Sequence, residues 1–175
     1  TCIIGTGSNS CYFDGKVTRE EVPALAYILG DEASGSWFGK RLLALHLYHK
    51  LDATVEEDFQ ATFNFGKDDI VNRVYQESDA NVFLASFMTF LGRHREVPQI
   101  ISLLEEGFQA FVDVHIKCYD GYKDCPVHFV GSVAYHFQSV LRHVCAREGI
   151  EVGQIIKRPI DGLSKYHLDY ILNVA

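Results

Sequence analysis

Basic charge is scarce in this sequence: 16 lysines and arginines stand against 23 aspartates and glutamates, a formal net charge of −7 at neutral pH. Sequence-independent nucleic-acid binding needs a basic face that displaces counterions, so this balance argues against a nucleic-acid partner. It does not argue against small anionic ligands, because a few backbone N–H groups hold a phosphate on an acidic protein. Long apolar runs are lacking too. None approaches the ~20 residues that span a bilayer, and no basic-then-apolar leader is present. Paired-cysteine motifs are also missing. Cys2, Cys11, Cys118, Cys125 and Cys145 are odd in number and scattered, with no CxxC. Free thiols in a reducing cytoplasm are therefore the expectation. There is no internal repeat, low-complexity tract or long linker.

What is present suits one domain, or one lobe of a larger one: 175 residues with 47% hydrophobic content, enough for a sizeable core. Cys2-Ile3-Ile4 and Ser10-Cys11-Tyr12-Phe13 are short β-prone runs. Asp14-Gly15 then supplies a hairpin turn, with a third strand expected within 16–21. After Gly30-Asp31-Glu32 the period changes. Ser34-Gly35-Ser36 offers an N-cap, and Trp37, Leu42, Leu45 and Tyr48 recur at helical spacing. A second helix is expected from Asp52 or Thr54, where Thr54-Val55-Glu56-Glu57 has the form of a capping box. Further helices are expected over 68–75, 80–91 and 97–115. Val127-His128-Phe129-Val130 reads as a buried strand, and 133–147 as a helix ended by Gly149. Residues 151–157 read as a last strand closed by Pro159, and 160–173 as a terminal helix. The order is an α/β layout with a mixed sheet and a mainly helical middle over about 52–117.

The Gly5-Thr6-Gly7-Ser8-Asn9 run lies between two strands, so it is not a dinucleotide fingerprint, which needs a strand followed at once by a helix. Its glycines let a ligand approach the backbone closely, and successive N–H groups in such a turn converge on an anion. The Thr6 and Ser8 hydroxyls and the Asn9 amide add uncharged donors. Taken alone, the same composition also suits an ordinary hairpin loop. Ser132 likewise reads as an N-cap for the helix after it, and Asp31 as a loop carboxylate. The histidine pairs His46/His49 and His136/His143 form no recognisable metal motif. The stripe of Phe83, Phe87 and Phe90 reads as core.

Three features in order narrow these readings: Ile4-Gly5-Thr6-Gly7-Ser8-Asn9, then Gly30-Asp31-Glu32-Ala33-Ser34, then Val130-Gly131-Ser132-Val133-Ala134. The set resembles the C-terminal lobe of the BadF/BadG/BcrA/BcrD-type ATPases, and more closely their N-acetylglucosamine-kinase-like branch. Ile156-Lys157-Arg158-Pro159-Ile160-Asp161-Gly162-Leu163 resembles the closing segment of that branch. The resemblance implies a ribonuclease-H-like lobe of the actin/hexokinase-like ATPase fold, with ATP and Mg2+ held in a cleft between two lobes. It implies that Gly5, Thr6, Gly7, Ser8 and Asn9 bind the ATP phosphates, with Thr6 and Asn9 as nucleotide contacts. Gly131 and Ser132 would meet the adenosine, and Asp31 the hydroxyls of a sugar substrate.

The sequence departs from that branch at Pro23-Ala24-Leu25-Ala26-Tyr27, where the sugar kinases carry a Gly-Gly-Trp-Gly type stretch lining the sugar pocket. This leaves the sugar's identity open. The first lobe's Asp-Gly-Gly phosphate motif and its general-base aspartate do not occur in these residues. The expectation is an N-terminal lobe outside this sequence, residues 1–175 being the C-terminal nucleotide-binding lobe, with no catalytic residue of its own and inactive in isolation. An uncovered cleft face would expose apolar surface and favour a homodimer. Two alternatives stay open. One is a BadF-type ATPase activating an electron-transfer partner through an iron–sulfur cluster, to which Cys118 and Cys125 would belong. The other is a non-catalytic nucleotide-binding module.

Overall fold

Turn chemistry at the two ends of the chain builds the sheet. The structure, a computed structural model, describes residues 1–166. Strands β1 (Cys2–Ile4) and β2 (Ser8–Ser10) pair antiparallel across the glycine turn, Ile4 opposite Ser8. Cys2 and Ile4 point into the core while Ile3 is exposed, the period-2 alternation of a half-covered strand. The hairpin β3 (Tyr12–Phe13) and β4 (Thr18–Arg19) forms a separate two-stranded sheet. Its turn is closed by Asp14 Oδ1, which accepts from the Lys16 and Val17 amides at 2.8 Å each. The single strand expected through Ser10 and Phe13 is thus divided. Cys11 turns aside to exchange hydrogen bonds with Thr1, its carbonyl taking the terminal ammonium at 2.8 Å.

Strands β5 (Val127–Val130) and β6 (Val152–Ile156) return at the far end of the chain and join β1 in parallel. The order is β2-β1-β5-β6, a four-stranded mixed sheet. Three of its strands therefore have their carboxyl ends together, at Ile4, Val130 and Ile156. Ligands of open α/β sheets sit outside such ends.

Ten helices lie among the described residues: α1 (Ala26–Leu29), α2 (Gly35–Leu47), α3 (Ala53–Thr62), α4 (Lys67–Tyr75), α5 (Ala80–Ser86), α6 (Met88–Arg93), α7 (Pro98–Phe111), α8 (Ser132–His136), α9 (Gln138–Arg147) and α10 (Pro159–Tyr166). The expected N-cap of α2 is present, Ser34 Oγ accepting from the Trp37 amide at 3.0 Å. The expected capping box at Thr54 is not. Helix α3 starts instead from the other expected position, with Asp52 at its N-cap, where Gln99 brackets the entry by accepting from the Asp52 amide and donating to the Lys50 carbonyl. Pro159 opens α10 at its first position instead of merely closing the strand, which suits a residue with no N–H to donate. The part of the expected terminal helix beyond Tyr166 lies outside the described residues.

Three helices expected to be continuous are interrupted. The ladder of 80–91 breaks at Phe87, after Ser86 Oγ bonds back to the Phe83 carbonyl at 2.7 Å. That of 133–147 breaks at Phe137, where the Gln138 side chain caps the Tyr135 carbonyl. Helix α7 widens into a π turn over Val112–Ile116. All three lie on the core. Phe87, Phe111 and Phe129 are fully buried, and Phe59 stacks on Phe87 with centroids 5.9 Å apart. The Phe83, Phe87 and Phe90 stripe belongs to this core. None of the described helices is long and apolar enough to cross a membrane.

Candidate functional site

Strand β1 delivers the chain to Gly5, and the hairpin then turns its carbonyl oxygens inward. Gly5 O accepts from the Gly35 amide at 2.7 Å, and Thr6 O from both the amide and the hydroxyl of Ser36, at 3.2 and 2.7 Å. Gly7 O accepts from the Gly5 amide at 2.9 Å. Two of the N–H groups that the first turn of α2 would otherwise leave unpaired are thereby satisfied by the hairpin. With its acceptors consumed, the turn presents donors. The Thr6 and Gly7 amides make no hydrogen bond among the described residues, and Thr6 is exposed. Such a concave run of N–H groups suits an anion.

Ser8 plays a different part from the one its hydroxyl suggested. It is buried; its Oγ donates to the Glu32 carbonyl at 2.8 Å and its amide to Asp31 Oδ1 at 3.3 Å. Both donors are thus turned to the protein. Asn9 Oδ1 accepts from the Ser10 amide at 2.8 Å, and its amide nitrogen makes no hydrogen bond among the described residues.

The Asp31 loop is stitched directly onto this hairpin. Asp31 and Ala33 both have left-handed backbones, φ 57° and 58°, uncommon for residues with a Cβ. A Cβ on Gly7 would lie 3.0 Å from Asp31 Oδ2, so glycine there makes room for the carboxylate. Lys40, one helix turn into α2, donates to the Tyr27 carbonyl. Burial pushes its ammonium below the usual lysine range, against the opposing pull of Asp31 and Glu32. Tyr27 is therefore fixed from α2. Leu25, Ile28 and Leu29, in and beside the short α1, are left exposed.

The third feature completes the cluster. Gly131 follows β5 with φ 125°, and a Cβ there would fall 2.2 Å from the Ile4 carbonyl oxygen. The two turns are consequently in backbone contact. Gly131 itself takes the N-cap position of α8, and Ser132, expected as the cap, is the first helical residue and exposed. Ser132 lines a cavity of about 460 Å3 with Val133, His136 and Phe137 on one side and Ala85, Met88 and Gly92 on the other. The α5/α6 and α8/α9 breaks face each other across it. Sequence reasoning missed Met88, Thr89, Gly92, Arg95 and His136. Their only signal was Gly92, just past the end of the helix expected over 80–91, and the cavity arises from two interruptions that no local pattern announced.

The predicted residues Gly5, Thr6, Gly7, Ser8, Asn9, Asp31, Gly131 and Ser132 thus converge at one end of the sheet. Among the described residues no group of three or more His, Cys, Asp or Glu side chains is placed to hold a metal ion.

No family model and no curated protein matches the chain. Among solved structures, it superposes on that of a putative N-acetylglucosamine kinase from Porphyromonas gingivalis with a TM-score of 0.90 and 37% identity, covering 97% of this chain and 59% of that one. A second putative N-acetylglucosamine kinase, from Chromobacterium violaceum, matches at a TM-score of 0.52 and 20% identity over 86% of this chain and 53% of that one, a likeness of fold alone. The chain thus spans less than two thirds of either protein, 59% and 53% of their lengths. Its mixed α/β fold is one that it shares with these kinase-like structures.

Proposed function

We propose that the chain is the C-terminal nucleotide-binding lobe of an ATP-dependent sugar kinase, similar to the N-acetylglucosamine-kinase-like branch of the BadF/BadG/BcrA/BcrD-type ATPases, with a ribonuclease-H-like core. The observation that carries this reading is the turn whose Gly5, Thr6 and Gly7 carbonyls all accept hydrogen bonds while the Thr6 and Gly7 amides stay unpaired among the described residues. These amides, with the Thr6 hydroxyl and the Asn9 amide, would receive the β- and γ-phosphates. Gly131 and Ser132 would border the adenosine, which the cavity lined by Met88, Gly92 and His136 suits in position and size. Asp31 would accept hydrogen bonds from sugar hydroxyls through Oδ2, its Oδ1 being held by Ser8.

Phosphoryl transfer is chiefly a matter of positioning and charge neutralisation. This chain's share is to fix the phosphate chain and orient the sugar. Mg2+ would arrive with ATP as the metal–nucleotide substrate, and Asp31 is the carboxylate beside the phosphate turn. The general base would come from an N-terminal lobe, so the isolated chain would bind nucleotide without turning it over.

A coupled assay of ADP release by the full-length protein, run over N-acetylglucosamine and related hexoses, tests the reading. Saturable, sugar-dependent ADP release is the expected result. ADP release that no sugar accelerates, or that depends on a second protein, would overturn it in favour of a BadF-type ATPase. Nucleotide binding without turnover under any condition would favour a non-catalytic module.

A further inference from the structure

We propose that His115, acting through Glu32, is a positioning residue that holds Asp31 in place, an inference that rests on reading Asp31 as the sugar-binding carboxylate. His115 Nε2 lies 3.0 Å from Glu32 Oε2, and the His115 side chain is only 4% exposed. Glu32 is thus gripped twice, at its carbonyl by Ser8 Oγ and at its carboxylate by His115.

The residues on either side of Glu32 make that grip consequential. Asp31 and Ala33 are both left-handed, and such a backbone persists in residues with a Cβ only where the surroundings over-determine it. Loosening Glu32 would release both neighbours, and with them the Asp31 oxygen that faces the Gly7 turn.

His115 reaches this loop because the chain widens into the π turn Val112–Ile116 just after α7. Insertions of this kind are frequent at functional sites, since they re-aim a side chain that a regular helix would point elsewhere. The ring stacks on Phe111 with centroids 4.7 Å apart, which fixes its plane. Its other nitrogen, Nδ1, is buried with no hydrogen-bond partner among the described residues, beside a cavity of about 50 Å3 that Cys2, Ser10 and Tyr119 also line. Leaving a ring nitrogen unpaired costs stability. An apolar ring packed on Phe111 would avoid that cost, so packing alone does not account for a histidine here. The contact that does is the one from Nε2 to Glu32.

The test compares His115→Phe, which keeps the ring and its stacking but cannot bond Glu32, with His115→Gln, whose amide nitrogen can still donate. Asp31→Asn serves as the reference. In the full-length protein, His115→Phe is expected to raise the sugar KM about tenfold while leaving kcat and the ATP KM nearly unchanged, with His115→Gln recovering most of the loss. If Asp31→Asn raises the sugar KM and His115→Phe does not, the proposal is overturned. If neither variant moves the sugar KM, the sugar reading of Asp31 has failed, and amide hydrogen exchange decides the positioning role by itself. Faster exchange at the Ser8 and Ser34 amides, which both bond to Asp31, in His115→Phe but not in His115→Gln supports it. Unchanged exchange there overturns it. Glu32→Ala, which removes the acceptor and leaves the ring, supplies the same readouts should His115→Phe fail to fold.

Discussion

The Ile4 carbonyl oxygen lies where a side chain on Gly131 would begin, 2.2 Å from an ideal Cβ position. Strands β1 and β5 run parallel as neighbours, and the contact sits just past their ends, between the glycine turn and the first residue before α8. Gly131→Ala meets two obstacles at once, a positive φ and a backbone atom that cannot swing aside. The expected loss is about 2–4 kcal/mol, the range of mutations that combine backbone strain with overpacking. Urea unfolding measures it. A midpoint within error of the parent would mean that the two turns separate freely, which would sink the idea of a single composite site.

Acid should weaken the helical middle of the chain through Asp58. The hydrogen bond from His94 at 2.8 Å, then Arg93 at 3.2 Å and Thr62, holds its carboxyl below the usual aspartate value. A carboxylate with a lowered folded pKa binds its proton more weakly than the unfolded chain does. Its contribution is therefore complete above the unfolded value of about 3.9 and disappears as pH falls through the folded value. Asp58→Asn should lower the thermal midpoint at pH 5–6, and the gap from the parent should close below about pH 4. A gap that stays constant down to pH 3 would assign the loss to packing or hydrogen-bond geometry instead of charge.

The parts of the fold that were legible in the sequence are those fixed by local chemistry. Ser34 caps α2 because its hydroxyl reaches the Trp37 amide within one turn, and Asp14 closes its hairpin through its own neighbours' amides. Strands β1, β5 and β6 announced themselves by short apolar runs between turn residues. What failed to show was set at long range. The choice of Asp52 over Thr54 as the start of α3 involves Gln99, 47 positions from Asp52. The breaks at Phe87 and Phe137 place bulky rings in a core whose shape no helical period encodes. The candidate site shows in the sequence as three motifs, yet their stitching does not. Nothing local says that Ser8 turns inward to hold Asp31 and Glu32, or that a π turn brings His115 to the same loop.

The five thiols should divide by burial when alkylated in the native state. Burial pushes Cys2 and Cys145 up to about 12, so almost no thiolate is present to react at pH 8. Cys118 and Cys125 are exposed, and Cys11 is half-buried. Cys118 is itself raised by burial, to a smaller extent. Cys125 should therefore label before Cys118 with iodoacetamide, and Cys2 and Cys145 only after denaturant is added, as read by peptide mass spectrometry. Native labelling of Cys2 at a rate near that of Cys125 would contradict the packing of β1 on the core.

Gly92 offers a way to separate the stability of the chain from the proposed nucleotide binding. It lies near the end of α6, and the nearest atom to a Cβ there is Phe137 Cζ at 3.9 Å, an ordinary contact distance. Alanine should fit without displacement and, by limiting the freedom of the unfolded chain and favouring the helix, leave stability equal or raise it by up to about 1 kcal/mol. The same position borders the 460 Å3 cavity at Ser132. Tryptophan at 92 has that open volume to enter, so Gly92→Trp should keep the fold, judged by its unfolding midpoint, while occupying the place proposed for the nucleoside. Titration calorimetry with Mg-ATP should then show binding little changed in Gly92→Ala and weakened at least about tenfold, or 1.4 kcal/mol, in Gly92→Trp. If Gly92→Trp folds and binds as tightly as the parent, the adenosine lies elsewhere, and Ser132 loses its proposed role with it.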